Sequence, residues 1–240
     1  MTQTQQTPRI VFVTGGNRGI GLAIAKAFAA DGDLVIVSYR SGEVPEGLVG
    51  VQMDVTSAPS VKSAFTEIEE KYGAVDVLVA NAGVTRDGLT MRMSDEDFTA
   101  VVETNLTGAF RTAQRAISPM MKKRSGRVIF IGSVVGMLGS AGQVNYAATK
   151  SGLIGMARAL AREYGSRGLT FNVIAPGFVE TDMTAELGGT LREKYVAAIP
   201  LGRFCTPSEV AAVVKFIASP EASYITGAVI PVDGGMGMGH

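Results

Sequence analysis

The sequence is poor in the residues that bind metals or cross-link chains. Cys205 is the single cysteine in 240 residues, which excludes an internal disulfide and is compatible with a reducing compartment. Nothing beside it resembles an activating pair, so it reads as a small hydrophobe rather than a nucleophile. His240 is the single histidine, and without a His/Cys cluster no metal site is expected. Charge of neither sign prevails. Lys plus Arg is 22 and Asp plus Glu is 22, so no general attraction to nucleic acid or to a membrane surface is expected. No apolar run approaches the length of a membrane span. Met1 to Pro8 is Thr/Gln-rich and lacks the basic and apolar regions of a signal peptide. It is expected to be a flexible tail on a cytoplasmic protein.

Apolar material is plentiful. A hydrophobic share of 46% against 18% charged excludes the signature of disorder and suffices for a sizeable core, expected as one domain over 9–240. Strand-like runs alternate with helix-like segments. The strands are RIVFVT (9–14), DLVIVSY (33–39), LVGVQM (48–53), VDVLVA (75–80), GRVIFIG (126–132), LTFNVIA (169–175) and AVIPVD (228–233). Helical spacing marks 18–31, 57–72, a long stretch from Ser94 to Met121, 145–165, and a helix opening at Pro207. Ser94 followed three residues later by Asp97 resembles an N-cap. Apolar strands separated by helices imply an α/β fold with a parallel, doubly wound sheet covered on both faces. Ligands in such a sheet bind beyond the carboxyl ends of the strands.

After the first strand comes Thr14-Gly15-Gly16-Asn17-Arg18-Gly19-Ile20-Gly21. Gly15, Gly19 and Gly21 permit a tight turn and close approach of backbone to a pyrophosphate at a helix N-terminus. NAD sites usually carry an acidic residue at the end of the second strand, but Ser38-Tyr39-Arg40 stands there. Arg40 with Arg18 is instead suited to clamp a 2′-phosphate. Asp54-Val55 follows the third strand, where the carboxylate either meets an adenine or caps the next helix. Asn81-Ala82-Gly83 after the fourth lets backbone run close to an adenosine.

Tyr146 and Lys150 are four apart on an expected helix and so share a face. A free tyrosine titrates at about 10, and a nearby ammonium is expected to bring it down toward the range useful for acid/base work. Ser133, after the fifth strand, is placed to donate to a carbonyl oxygen. Asn105 is a polar residue inside the long helix, where its ordinary role is a local hydrogen bond.

TGGNRGIG (14–21), NAG (81–83), NLTG (105–108), IGS (131–133), YAATK (146–150) and PGFVETDM (176–183) run in order along nearly the whole chain. Together they resemble the short-chain dehydrogenases/reductases. That resemblance implies a Rossmann-type, seven-stranded sheet and hydride transfer between a nicotinamide cofactor and a carbonyl carbon. Tyr146 would act as general acid, with Lys150 tuning it and holding the nicotinamide ribose. Ser133 would orient the carbonyl, and Asn105 would support a water relay. The nicotinamide would rest near Pro176-Gly177, its carboxamide near Val179 and Thr181.

A narrower resemblance joins NAGVTRDGLTMRM (81–93), KKRSGRVIFIGSVVG (122–136), IPLGRF (199–204) and YITGAVIPVDGGMGM (224–238). These segments resemble 3-oxoacyl-[acyl-carrier-protein] reductases, actinobacterial ones in particular. NADPH/NADP+ is then the expected cofactor. An acidic acyl carrier protein would meet a local basic patch among Lys122, Lys123, Arg124, Arg127 and Arg167, with Arg124 and Arg167 foremost. The same cations suit a helix C-terminus. Residues 183–205, with Met183, Leu187, Leu191, Val196 and Ile199, are expected as a substrate lid or a pair of packed helices. The resemblance also implies a homotetramer. Two other readings share these residues: a reductase of 3-oxoacyl-CoA or another small ketone, and an NADP(H)-binding sensor.

Overall fold

The β-branched runs form strands in the computed structural model, which describes residues 8–185 and 188–238. The expected tail falls almost wholly outside the described residues, as do His240, Leu187 and the side chain of Met183. The strands are β1 (Ile10–Val13), β2 (Leu34–Tyr39), β3 (Val49–Gln52), β4 (Val77–Ala80), β5 (Gly126–Ile131), β6 (Leu169–Pro176) and β7 (Val229–Val232). They make one parallel sheet in the order β3-β2-β1-β4-β5-β6-β7. The order reverses between β1 and β4, which is where a doubly wound sheet opens a crevice.

Alternation along each strand feeds two cores. Phe12, Leu78, Phe130 and Phe171 point to one face, beneath α2 (Ala58–Lys71), α4 (Gly108–Lys123) and α6 (Val144–Tyr164). Val11, Val13, Val79 and Ile129 point to the other, beneath α1 (Gly19–Ala30) and α9 (Pro207–Ile217). Asn172 is a fully buried polar residue in β6. Its amide donates to the Ile225 carbonyl (2.8 Å) and its Oδ1 accepts from the Ala228 amide (3.1 Å), which fixes the segment leading into β7.

Local chemistry sets the helix ends. Ser94 caps α3 (Asp95–Val102), accepting from the Asp97 amide. Thr206 and Glu209 form a capping box with Pro207 in the first turn of α9, an arrangement that satisfies two end donors at once. The helix expected over Ser94–Met121 starts on that cap and runs to Lys123, with a difference inside it: Glu103–Thr107 is a π turn. Gly108 follows, where a Cβ would come within 2.8 Å of Val55, so the helix resumes hard against the loop after β3. Between β6 and α9 lie α5's later counterparts: α5 (Val135–Leu138) follows β5, while α7 (Asp182–Ala185) and α8 (Gly189–Ala197) follow β6. Among the described residues, no helix is long and apolar enough to cross a membrane.

Candidate active site

The glycine loop is anchored from beneath by residues that sequence reasoning passed over. Thr14 is buried, and its hydroxyl accepts from the amides of Asn81 and Ala82, both at 3.0 Å. The Ser38 hydroxyl accepts from the Gly15 amide at 3.0 Å. Asn81 reaches back to the carbonyls of Thr14 (2.9 Å) and Gly15 (3.1 Å). A Cβ at Gly21 would meet Asn81 Nδ2 at 2.5 Å, so only glycine lets α1 pack this closely. The short, small polar residue at the end of each strand was the signal available for Thr14 and Ser38.

Gly19 stands apart. Its backbone is left-handed, and the one atom near an added Cβ is Thr181 Cγ2 at 4.0 Å. Open space therefore separates the N-terminus of α1 from the loop after β6, a cradle fit for a pyrophosphate. Ile20 packs against the core below. Arg18 is the exposed N-cap position of α1, and Arg40 is exposed at the end of β2. Among the described residues neither joins an ion pair. Asn17 donates to the Ser41 carbonyl at 3.1 Å, which ties the glycine loop to the loop after β2.

Asp54 does not cap α2, whose N-cap is Ser57. Its carboxylate accepts instead from the amide and hydroxyl of Thr56, at 2.9 and 2.7 Å. Those bonds, with the field of Arg40, hold it below the usual carboxylate range. Val55 is buried beside it. Ala82 and Gly83 run across the crevice, and a Cβ at Gly83 would press on Asn105 Oδ1 at 3.2 Å.

Asn105 sits in the π turn and is 1% exposed. Its Oδ1 accepts from the Val84 amide (2.8 Å) and its Nδ2 donates to the Val84 carbonyl (2.9 Å). The bond is therefore not local to the helix. The π turn, a feature frequent at functional sites, aims this side chain at the loop after β4. A third bond runs from its Nδ2 to Thr149 Oγ1 at 3.4 Å.

Thr149 belongs to α6, which carries the chemistry. Ser133, Tyr146 and Lys150 converge at the carboxyl edge of β5. The Ser133 hydroxyl accepts from the Val135 amide at 3.2 Å and lies near enough to Tyr146 to favour its phenolate. Lys150 is deeply buried, donates to the Ile131 carbonyl at 2.7 Å and lies 5.3 Å from the centre of the Tyr146 ring. Asn145, fully buried in the first turn, accepts from the Tyr146 amide (2.7 Å) and donates to the Arg86 carbonyl (2.9 Å).

The proton affinities correct one expectation. Burial pushes Tyr146 up to about 12, helped by Asp87, and nearby Ser133 draws it only partly back. Burial pulls Lys150 down to about 8. The ammonium does not bring the phenol down here, because it lies over the ring face and is taken up by a carbonyl rather than facing the hydroxyl. Tyr146 is thus a half-buried, protonated donor.

The loop after β6 completes the crevice. The Pro176 carbonyl accepts from the Val134 amide (2.9 Å), and the Gly177 amide donates to Val232 (3.0 Å). Val179 is buried, and its carbonyl accepts from the Thr184 hydroxyl at 2.7 Å. Thr181 flanks the cradle opposite Gly19. Arg124 and Arg167 are not brought here. They precede β5 and β6 and so lie at the opposite, amino edge of the sheet, where Arg124 Nη2 donates to the Ser166 carbonyl at 3.2 Å. Lys123 is engaged by Asp76 at 2.9 Å. Burial pushes the Cys205 thiol up to about 11, which suits an inert residue. Among the described residues, no group of three or more His, Cys, Asp or Glu is placed to hold a metal ion.

A family model described as enoyl-(acyl carrier protein) reductase matches residues 15–237. The chain belongs to the short-chain dehydrogenases/reductases. A nicotinamide cofactor goes with membership of that family. Among curated short-chain reductases, the chain is 56% identical over 232 residues to the 3-oxoacyl-[acyl-carrier-protein] reductase MabA of Mycobacterium tuberculosis, covering 97% of this chain and 94% of the relative. The enzyme of the same name from Mycobacterium avium is 55% identical over 97% of this chain and 91% of its own length. The 3-oxoacyl-[acyl-carrier-protein] reductase FabG of Escherichia coli is 48% identical, with 96% and 98% covered.

Proposed function

We propose that this chain reduces the 3-oxo group of an acyl-carrier-protein thioester to the 3-hydroxy form, with NADPH as donor. The observation that carries the reading is the convergence of half-buried Ser133 and Tyr146 with buried Lys150 at the carboxyl edge of β5, in a chain so similar to reductases of that name. When bound, the dinucleotide supplies the hydride received by the carbonyl carbon. The protein's own residues do the rest. Ser133 donates to the carbonyl oxygen as negative charge develops there. Tyr146, protonated at neutral pH, gives that oxygen its proton. Lys150 holds the ribose hydroxyls and feeds a proton back toward Tyr146, with Asn105 supporting a water on that route. Its lowered affinity near 8 suits a group that both takes and gives a proton.

Gly15, Gly19, Ile20 and Gly21 would cradle the pyrophosphate, and Asp54, Val55, Asn81, Ala82 and Gly83 would surround the adenosine. Pro176, Gly177, Val179 and Thr181 would face the nicotinamide. Arg18 and Arg40, exposed and in no ion pair among the described residues, fit a 2′-phosphate, which selects NADPH over NADH. Arg40→Glu should raise the NADPH KM by about 10–100-fold, the scale of one or two lost charge-assisted bonds, while leaving NADH kinetics nearly unaltered. Equal effects on both dinucleotides would remove the clamp.

The thioester substrate is tested directly. NADPH oxidation is followed with 3-oxoacyl-carrier protein, the matching CoA thioester, and a 2-enoyl thioester. Preference for the carrier-bound 3-oxo substrate is expected; turnover of the enoyl form alone would overturn the reading. Carrier docking on Arg124 and Arg167 is part of the same proposal. Six residues of β5, about 20 Å, separate that edge from Ser133, so the thioester arm has to span that length or enter the site of another copy. Reversing both charges should raise KM for the carrier-bound form alone. A tetramer, checked by light scattering, accords with Phe110 on α4 and Val144 on α6, both over 40% exposed. Residues 183–205 serve as the cover over the acyl chain.

A further inference from the structure

Helix α8 lies within the proposed cover and buries none of its residues. What holds it is a short column of contacts. Tyr195 stacks on Phe178, with ring centres 4.2 Å apart and planes 25° from parallel. Phe178 in turn stacks on the buried Phe204 at 5.3 Å. The Arg192 guanidinium lies 4.4 Å over the same Phe204 ring, and its Nη2 reaches Glu180 Oε1 at 3.0 Å. Phe178 directly follows Gly177, and Glu180 stands between Val179 and Thr181. Two of the three side chains that hold α8, Phe178 and Glu180, therefore belong to the very loop expected to face the nicotinamide.

We propose that Arg192 is a positioning residue, which by spanning Glu180 and the face of Phe204 sets how closely α8 covers the acyl thioester. The inference rests on the reading of 183–205 as a substrate cover. A planar guanidinium can satisfy a carboxylate edge-on and an aromatic face at once, which an ammonium cannot do equally well. Arg192 touches neither the reacting atoms nor Tyr146, so its influence falls on substrate retention rather than on the chemical step. Loosening α8 lowers the fraction of molecules whose cover is closed, and apparent affinity falls by that fraction.

The test uses the full chain and two readouts. One is cleavage after Lys194 by a lysine-specific endoprotease, in the absence of substrate, with the fragment identified by mass. The other is the split between KM and kcat for the thioester. Arg192→Met and Glu180→Gln should each speed that cleavage about three- to tenfold, as expected for a partly exposed charge and ring contact. Each should raise KM by a similar factor, with kcat and NADPH affinity within about twofold. The paired exchange Glu180→Arg with Arg192→Glu restores the ion pair but not the ring contact, and should fall between parent and single variants. Cleavage unchanged in both single variants would overturn the proposal. Faster cleavage with unchanged KM would do the same, since α8 would then be held without bearing on substrate. Should the parent fail to turn over any thioester, the proposed function fails, and the cleavage rates still decide whether Arg192 holds α8.

Discussion

Helices α6 and α8 are built on opposite terms. α6 has 21 residues and buries Asn145, Thr149, Lys150, Leu153 and Ala157. α8 has 9 residues and buries none. Under the proposed function, the first carries the reacting groups, whose positions must hold to a fraction of an ångström, and the second carries no chemistry and serves as cover. Burial density, not proximity to the site, separates the element that reacts from the element that covers.

The largest break in that contrast is chemical. Tyr146→Phe should lower kcat by about 10²–10⁴, the usual range for a lost general acid, with the dinucleotide Kd within about twofold by fluorescence titration. Next comes packing. Leu153→Ala, at 1% exposure on α6, should cost about 2–5 kcal/mol in urea unfolding. Lys150→Met should act in the other direction. Burial lowers the affinity of Lys150 from 10.5 to about 8, so the unfolded chain binds that proton more tightly. The cost to the folded state is complete below about pH 8 and fades as pH rises toward 10.5. The Met variant should therefore be about 1–3 kcal/mol more stable at pH 7, with a gain that shrinks by pH 10.5, and inactive. The smallest effect belongs to α8. Tyr195→Ala removes a ring stack of about 0.5–1.5 kcal/mol. It should accelerate hydrogen exchange across 189–197 while the urea midpoint hardly moves.

Much of this arrangement was legible before any coordinates. Runs such as RIVFVT and LTFNVIA mark β1 and β6 because β-branched residues suit a covered strand. The spacing of Tyr146 and Lys150 puts them on one face because α6 is regular. The π turn was not legible. One extra residue in a turn leaves the apolar spacing of the long helix nearly intact, and Asn105 looked like a local hydrogen-bonder until the turn aimed it at Val84. The proton affinity of Tyr146 went the other way from the expectation because burial, which no spacing reveals, outweighs a lysine held by Ile131. The position of Arg124 and Arg167 was available in principle. Residues that precede strands of a parallel sheet lie at its amino edge, whatever their charge.

Asn172 has a further consequence, for synthesis. Its amide and carbonyl are taken up by Ile225 and Ala228, more than fifty residues later in the chain. A ribosome delivers β6 well before those partners, so for that interval β6 is the edge strand and carries two unanswered polar groups in its Asn172 side chain. A growing chain cannot close its sheet until almost all of it has emerged. A product cut short before residue 228 should therefore keep an unpaired β6 edge, the kind of surface that aggregates or is degraded.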